Sequence, residues 1–196
     1  MNAGALCVPE ETGGEVLEPA EFFGRHAPLV LDLGCGNGVF LSALAAREPA
    51  WNVLGVEKKD YRVRQARRRC GALGNTRVVH GGIGEMLRRL PTASVSRAYL
   101  LFSDPWPKRR HADRRLARRD FADLLRRCMA SGGEFGFASD SSDYVDEARG
   151  IFESAGGWLA GPWEVPQDWP RTEFERRFLA AGVRVFRFRA RRTGAT

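Results

Sequence analysis

The feature that most constrains the fold is an apolar segment, Leu29 to Leu33, that leads directly into the glycine-rich turn from Gly34 to Gly38. Apolar residues then recur at helical spacing from Val39 to Ala45, and Pro49 ends the pattern. A strand, a glycine turn and a helix in this order are typical of the first crossover of a parallel sheet. The sequence therefore predicts an α/β three-layer sandwich.

The same alternation continues along the chain without an internal repeat or an inter-domain linker. Residues 1–18 lack periodicity and are expected to form a loose tail, and residues 19–196 are expected to form a single domain. The predicted strands are Leu29 to Leu33, Val53 to Glu57, Thr76 to His80, Val95 to Phe102, Gly133 to Ser139 and Val183 to Ala190. Helices are expected from Glu21 to Gly24, after Gly38, from Asp60 (as a possible cap) to about Leu73, from Ile83 to Leu90, from Arg114 to Met129 and from Tyr144 to Ala155, with a short turn or helix from Arg171 to Phe178.

Charge and cysteine content limit the class of protein. The formal net charge is +7, and basic residues cluster at 58–69, 108–127 and 184–192 behind an acidic N-terminus. Such clusters favour a polyanionic partner such as nucleic acid, although an arginine-rich proteome would give the same bias. The four cysteines form no Cys-x-x-Cys pair, and the three histidines are isolated, so no metal site is predicted. Without an apolar run long enough to span a bilayer or a signal peptide, the chain is expected in a reducing cytoplasm. Its oligomeric state is left open, with a monomer slightly favoured.

The glycine turn and two acids indicate a nucleoside cofactor. Gly34, Gly36 and Gly38 let the backbone approach a ligand closely, although a glycine turn alone is weak evidence. The dinucleotide fingerprint needs its third glycine where this chain has Val39, which disfavours a pyrophosphate ligand and hence a dehydrogenase. Glu57 ends the second strand, where a carboxylate can accept from both hydroxyls of a ribose.

Asp32 ends the first strand and can brace the turn or meet a cationic group. Two acids and a glycine turn together favour a nucleoside with a positive tail, which describes S-adenosyl-L-methionine.

A stiff loop follows the fourth strand, in the sequence Phe102-Ser103-Asp104-Pro105-Trp106-Pro107-Lys108-Arg109-Arg110-His111. The two prolines restrict the backbone around Trp106 and place a carboxylate, an aromatic ring and a group of cations on one loop. Asp104 falls at the edge where open α/β sheets bind ligands. A plain proline turn with a half-buried tryptophan is the structural alternative.

These residues resemble the bacterial tRNA (guanine-N7-)-methyltransferases. The resemblance rests on the Phe102-to-His111 segment, on Asp32 to Gly38, on Asp140 after the fifth strand and on Thr172-Glu173-Phe174-Glu175. It implies a Rossmann-like, mostly parallel seven-stranded sheet with an antiparallel last strand. It also implies a tRNA (guanine(46)-N7)-methyltransferase that uses S-adenosyl-L-methionine and acts on a variable-loop guanine of tRNA.

Site residues are implied by the same resemblance. The cofactor residues are Asp32, Gly34, Gly36, Gly38, Glu57, Gly82 and Asp104, and the substrate residues are Lys108, Asp140, Thr172, Glu173, Phe174 and Glu175. This chain departs from the family pattern with Gly82 in place of an acid that meets the adenine, Asp32 in place of a glutamate, Leu101 in place of an asparagine and Ser139 in place of a threonine. From the residues alone, Asp140 could equally cap a helix, and Thr172 with Glu175 could form a capping box.

The chemistry expected of Asp104 follows from guanine itself. N7 carries an in-plane lone pair and no proton, so a methyl acceptor at N7 needs no general base. An ionised Asp104 could accept from the guanine N1–H and its exocyclic amine, which selects guanine and stabilises the cationic product. Trp106 could stack on a base or only fill the space beneath the loop. Two rival functions stay open, namely methylation of an exocyclic amine and a non-catalytic RNA-binding module.

Overall fold

The computed structural model describes residues 16–105 and 115–194 as a seven-stranded sheet between two layers of helices. The strands are β1 (Leu29–Leu33), β2 (Asn52–Glu57), β3 (Thr76–His80), β4 (Val95–Leu101), β5 (Met129–Ser139), β6 (Trp158–Pro162) and β7 (Phe186–Arg192). Their order is β3-β2-β1-β4-β5-β7-β6. The first five strands are parallel, and β7 runs antiparallel to both β5 and β6. The predicted Rossmann-like sheet with an antiparallel last strand is confirmed.

Each face of the sheet is covered by helices that bury one apolar stripe. The helices are α1 (Pro19–Phe23), α2 (Val39–Arg47), α3 (Asp60–Cys70), α4 (Ile83–Arg89), α5 (Arg119–Cys128), α6 (Ser142–Ser154) and α7 (Glu173–Ala180). One buried cluster joins α2 and α3 to the sheet, for example through Leu41 and Ala66. The other joins α4, α5 and α6 to the opposite face, through residues such as Leu87, Leu125 and Phe152.

Several predicted boundaries differ from the observed ones for local reasons. The α3 N-cap is Lys59, because the Asp60 carboxylate is paired with Arg64 instead of capping the helix. Helix α3 ends at Cys70, where Gly71 is the C-cap, and so stops short of the predicted Leu73. Helix α5 begins at Arg119 rather than Arg114, and residues 106–114 lie outside the described residues.

Strand β6 lies in a segment for which the sequence periodicity predicted no strand or helix. Strand β6 contains Gly161 and Pro162 and pairs only with β7, so it lacks the apolar alternation that marks a strand in sequence. Strand β7 starts at Phe186 and extends to Arg192, two residues beyond the predicted end at Ala190. Its buried Phe188 and Ala190 alternate with exposed arginines, as expected for a strand with one covered face.

The strand order brings the predicted site residues to one edge of the sheet. Strand β1 lies between β2 and β4, so the chain winds away from β1 in both directions. A crevice forms at such a switch point, outside the carboxyl ends of the strands. The glycine turn, Glu57 and the Asp104 segment follow β1, β2 and β4 respectively. In the described part of the chain, none of the helices has the length and apolar character that crossing a membrane requires.

Gly38 offers a test of how tightly this edge is packed. Its φ is +79°, and a Cβ there would lie 2.9 Å from Ala66 Cα on α3. We expect Gly38→Ala to lower the free energy of unfolding by about 2–4 kcal/mol, because left-handed strain and overpacking add. Gly150 lies in α6 with open space around it. Gly150→Ala should therefore stabilise the protein by about 1 kcal/mol. Urea unfolding checks both variants, and equal effects would contradict the close approach of α3.

Candidate functional site

The glycine turn adopts a conformation that only glycine tolerates easily. Gly34, Gly36 and Gly38 have φ values of +81°, +55° and +79°. The turn is anchored to β2, because the Gly34 and Cys35 N–H groups donate to the Val56 carbonyl over 2.8 and 3.0 Å. The backbone is therefore open to a ligand on one side and held by the sheet on the other.

Glu57 connects the end of β2 to this turn. Its carboxylate is buried and accepts from the Gly36 N–H over 3.0 Å and from the Lys59 N–H over 2.8 Å. Each carboxylate oxygen keeps a second lone pair. Glu57 also lines a cavity of about 580 Å³, together with Gly82 and Asp104. The residue is thus fixed in place and still has acceptor capacity for a ligand.

Asp32 is a strongly perturbed acid of the site. Its side chain is buried, and its Oδ2 has no hydrogen-bond partner among the described residues. Burial, together with the charge of Glu57, raises the pKa of Asp32 to about 8. Asp32 lines a second cavity of about 240 Å³, which meets the first at Gly34. An unpartnered buried carboxylate beside an open cavity is the environment that a cationic ligand group would satisfy.

Asp104 lies on a segment whose backbone is strained and braced. Phe102 has φ +57°, an uncommon value for a bulky residue, and its N–H donates to the Ala138 carbonyl over 2.8 Å. The Arg115 Nε donates to the Pro105 carbonyl over 2.7 Å. This bracing directs the Asp104 side chain to solvent, at the edge of the same cavity as Glu57.

Helix α6 supplies the second half of this brace. The Tyr144 hydroxyl lies 3.3 Å from the Ser103 Oγ and accepts from the Ala117 N–H at the same distance. The Arg115 guanidinium is paired with Glu147 and lies 5.3 Å from the Tyr144 ring centroid. Both ends of the Asp104 segment are therefore tied to one helix.

Gly82 leaves open space where the resemblance implies a contact to an adenine. Among the residues that the structure describes, a Cβ at Gly82 would have no neighbour within 4 Å, and the residue lines the cavity of Glu57. The preceding Gly81 N–H donates to the Glu57 carbonyl over 3.0 Å. Backbone and the neighbouring Ile83 thus form this wall of the cavity.

Helix α7 brings three of its four predicted site residues to the Asp32 cavity. Thr172, Glu173 and Phe174 line it. Glu173 accepts from the Asn37 side-chain amide of the glycine turn, which ties the start of α7 to β1. The Thr172 Oγ1 accepts from the Glu175 N–H over 3.0 Å as a helix cap. Glu175 does not line this cavity, and its buried carboxylate is paired with Arg187 at 2.5 Å.

Asp140 is not a helix cap in this fold. Helix α6 is capped by Ser141, whose Oγ accepts from the Tyr144 N–H over 3.4 Å. Asp140 itself accepts from the Ser139 hydroxyl over 3.3 Å and lines neither of the two cavities. The predicted substrate residue Lys108, together with Trp106 and Arg109 to His111, lies outside the described residues.

Several residues of this site were not predicted to lie there. Tyr61 and Arg62 on α3 line the Asp32 cavity, whereas the basic cluster at 58–69 predicted a polyanionic partner without placing either residue at a cavity. The strain at Phe102 was equally invisible, because only its position before Asp104 was known. Among the described residues, no three His, Cys, Asp or Glu side chains are grouped so that they could hold a metal ion.

Comparison with known proteins places this geometry in context. Residues 26–188 match a family model described as a putative methyltransferase. A tRNA (guanine-N(7)-)-methyltransferase of Nitrosococcus oceani is 36% identical over 188 residues, which cover 93% of this chain and 79% of that protein. The enzyme of the same name from Leifsonia xyli is 38% identical over 182 residues, covering 88% and 80%.

Solved structures agree at the level of the fold. The 16S rRNA methyltransferase KamB superposes with a TM-score of 0.63 at 18% identity, over 93% of this chain and 96% of that one. A 16S rRNA (adenine(1408)-N(1))-methyltransferase from Catenulisporales acidiphilia, solved with its cosubstrate, gives the same score and identity over 91% and 92%. The chain therefore shares the fold of these two structures.

Asp32 makes the stability of the free protein depend on pH. The folded carboxyl titrates at about 8, whereas an unfolded aspartate titrates near 4. Between these values the folded state binds more protons, so the free energy of unfolding falls as pH rises. The stabilising contribution of the Asp32 carboxyl is complete below pH about 4 and lost by pH about 8. From about pH 5 to 7, the free energy of unfolding of wild type, measured in urea, should fall by about 1 kcal/mol per pH unit relative to that of Asp32→Asn. A constant difference would contradict the raised pKa.

Proposed function

The chain belongs to the tRNA (guanine-N(7)-)-methyltransferase family, and we propose that it transfers a methyl group from S-adenosyl-L-methionine to N7 of guanine 46 in the variable loop of tRNA. The reaction would take place in the cytoplasm, where tRNA is modified. The single observation that carries this proposal is that the exposed Asp104 carboxylate shares one cavity with Glu57 and Gly82. That arrangement supports a purine-binding role for Asp104 beside a nucleoside site at Glu57.

The residues present fit S-adenosyl-L-methionine in charge and shape. The unpartnered Asp32 oxygen suits the cationic end of the cofactor, because a nearby positive charge would offset the cost of ionising a buried acid. Glu57, held by two backbone amides, would accept from the ribose hydroxyls. The turn at Gly34, Gly36 and Gly38 lets the backbone approach, and Gly82 leaves room for the adenine. When bound, the cofactor supplies an electrophilic methyl group on a sulfonium.

Asp104 supplies selectivity and charge stabilisation rather than a base. Guanine N7 has a free lone pair, so no side chain has to remove a proton from it. As N7 is alkylated, positive charge spreads over the purine, and N1–H and the exocyclic amine become stronger donors. A carboxylate that accepts from them binds the transition state better than the neutral base, which is the condition for faster chemistry. The braces from Arg115 and Tyr144 keep this carboxylate in position.

The remaining site residues would bind the tRNA around the target. Thr172, Glu173 and Phe174 lie at the rim of the Asp32 cavity and are proposed to contact the tRNA loop at or beside the target nucleotide. Lys108 is proposed to meet a phosphate, and Asp140 a base or sugar hydroxyl. Glu175 is assigned a positioning role, because its pair with Arg187 fixes the start of α7.

Transfer of labelled methyl groups to unmodified tRNA tests the function directly. The proposal predicts one labelled nucleoside, 7-methylguanosine, after digestion and chromatography. It also predicts no labelling of a transcript that carries adenine at the target position. Label on an exocyclic amine would support the rival chemistry, and binding of tRNA without any transfer would support a non-catalytic module. Either result overturns the proposal.

Replacement of Asp104 separates a role toward the guanine from a role toward the cofactor. Asp104→Ala should lower kcat by about 100- to 1000-fold, because it removes an acceptor that acts mainly in the transition state. The Kd for S-adenosyl-L-methionine, measured by calorimetry, should change by less than about threefold. Asp146→Ala, which removes an exposed acid paired with Arg149, is the control and should leave both values unchanged. A parallel loss of affinity and rate would make Asp104 a cofactor ligand only.

A further inference from the structure

Two exposed aromatic rings and one guanidinium form a cluster at the rim of the Asp32 cavity. Tyr61 on α3 is 50% exposed, and Phe174 on α7 is 42% exposed. The Arg62 guanidinium carbon lies 5.8 Å from the Tyr61 ring centroid and 5.7 Å from that of Phe174. We refer to Tyr61, Arg62 and Phe174 as the rim cluster. Two separate helices thus contribute aromatic rings to the same cation.

The rim cluster is held in place by the glycine turn. A Cβ at Gly36 would lie 4.0 Å from an Arg62 guanidinium nitrogen, so Arg62 lies over the turn. Asn37 of the same turn donates to Glu173, the residue before Phe174. Among residues 16–105 and 115–194, Arg62 forms no ion pair with a carboxylate. The cluster therefore presents positioned ring faces and an uncompensated positive charge beside the cavity.

Exposed rings next to a guanidinium are the surface on which single-stranded RNA bases stack. Proteins that recognise unpaired RNA place its bases on aromatic rings and on arginine planes. A guanine that enters the cavity near Asp104 leaves its stack, and its neighbour in the loop loses a stacking partner. The rim cluster lies at the mouth of the Asp32 cavity, which meets the Asp104 cavity at Gly34, and its rings would replace that lost contact.

We propose that the rim cluster stacks a second base of the tRNA loop, adjacent to the guanine that is methylated. This inference rests on the proposed function and extends it, because it assigns a binding site for a nucleotide that does not react. Tyr61 and Phe174 supply the ring faces, and Arg62 supplies the charge that favours a base with its phosphate.

Kinetic measurements that combine protein variants with abasic tRNA transcripts test the proposal. Transcripts carry a single abasic site one or two positions before or after the target guanine. With wild type, one of these sites should lower kcat/KM for tRNA about tenfold. Tyr61→Leu and Phe174→Leu keep an apolar side chain and remove the ring. Each should lower kcat/KM on intact tRNA by a similar factor, with no further loss on the sensitive abasic transcript.

Two control variants show whether the effect of the leucine substitutions comes from loss of the aromatic rings. Tyr61→Phe retains the ring face and should keep wild-type sensitivity to the abasic site. Leu159→Ala alters an exposed apolar residue, 61% exposed, on edge strand β6 and should change nothing. Circular dichroism of each variant confirms folding before kinetics are compared.

Three outcomes would overturn the inference. If the decrease in kcat/KM caused by a leucine substitution added to the decrease caused by the abasic site at every position, no base would rest on the rim cluster. A change in Kd for S-adenosyl-L-methionine in the leucine variants, with unaltered kcat/KM ratios between transcripts, would make the rings a cover for the cofactor. No effect of either leucine variant would leave the rings without a role in binding. In each case wild type would still form 7-methylguanosine, whereas failure of the proposed function would abolish that product itself.

Discussion

Two buried carboxylates at the end of β1 and β2 determine how the rest of the site is arranged. Glu57 is held by the backbone, because each of its oxygens accepts one N–H, from Gly36 and from Lys59, and this holds the glycine turn against β2 while leaving acceptor capacity for a ligand. Asp32 lies beside it with an oxygen that lacks a partner among the described residues, and the charge of Glu57 adds to its raised pKa. The fold thus carries an electrostatic cost at the place where a cationic cofactor would bind. Such a cost is characteristic of a functional site rather than a structural one.

The opposite side of the crevice depends on bracing instead of burial. The strained backbone at Phe102 turns the chain sharply after β4, and α6 holds the following residues through Tyr144 and Arg115. Helix α7 closes the third side through the contact between Glu173 and Asn37. Strain of this kind persists only when the surroundings fix it, and here it presents Asp104 to the cavity. The chemistry assigned to Asp104 depends on the position of its carboxylate.

Much of this arrangement could be predicted from the sequence. Strand–helix alternation predicted the parallel core of the sheet. The positions of Asp32, Glu57 and Asp104 at or just after the carboxyl ends of strands predicted that they share one edge. Strand β6 could not be predicted from periodicity, because an edge strand with glycine and proline lacks the alternation of apolar and polar residues. Contacts between separate elements of the fold could not be predicted from the sequence either. The Glu175–Arg187 pair and the rim cluster each join elements that are distant in sequence or only adjacent after folding.

Proton release on cofactor binding tests the central electrostatic claim most directly. Titration calorimetry in two buffers with different ionisation enthalpies gives the number of protons released when S-adenosyl-L-methionine binds near pH 7. We expect wild type to release about one proton, because a cation would lower the pKa of an Asp32 that is protonated in the free protein. Asp32→Asn should release none. Equal proton counts for wild type and Asp32→Asn would contradict the assignment of Asp32 as the partner of the cationic cofactor.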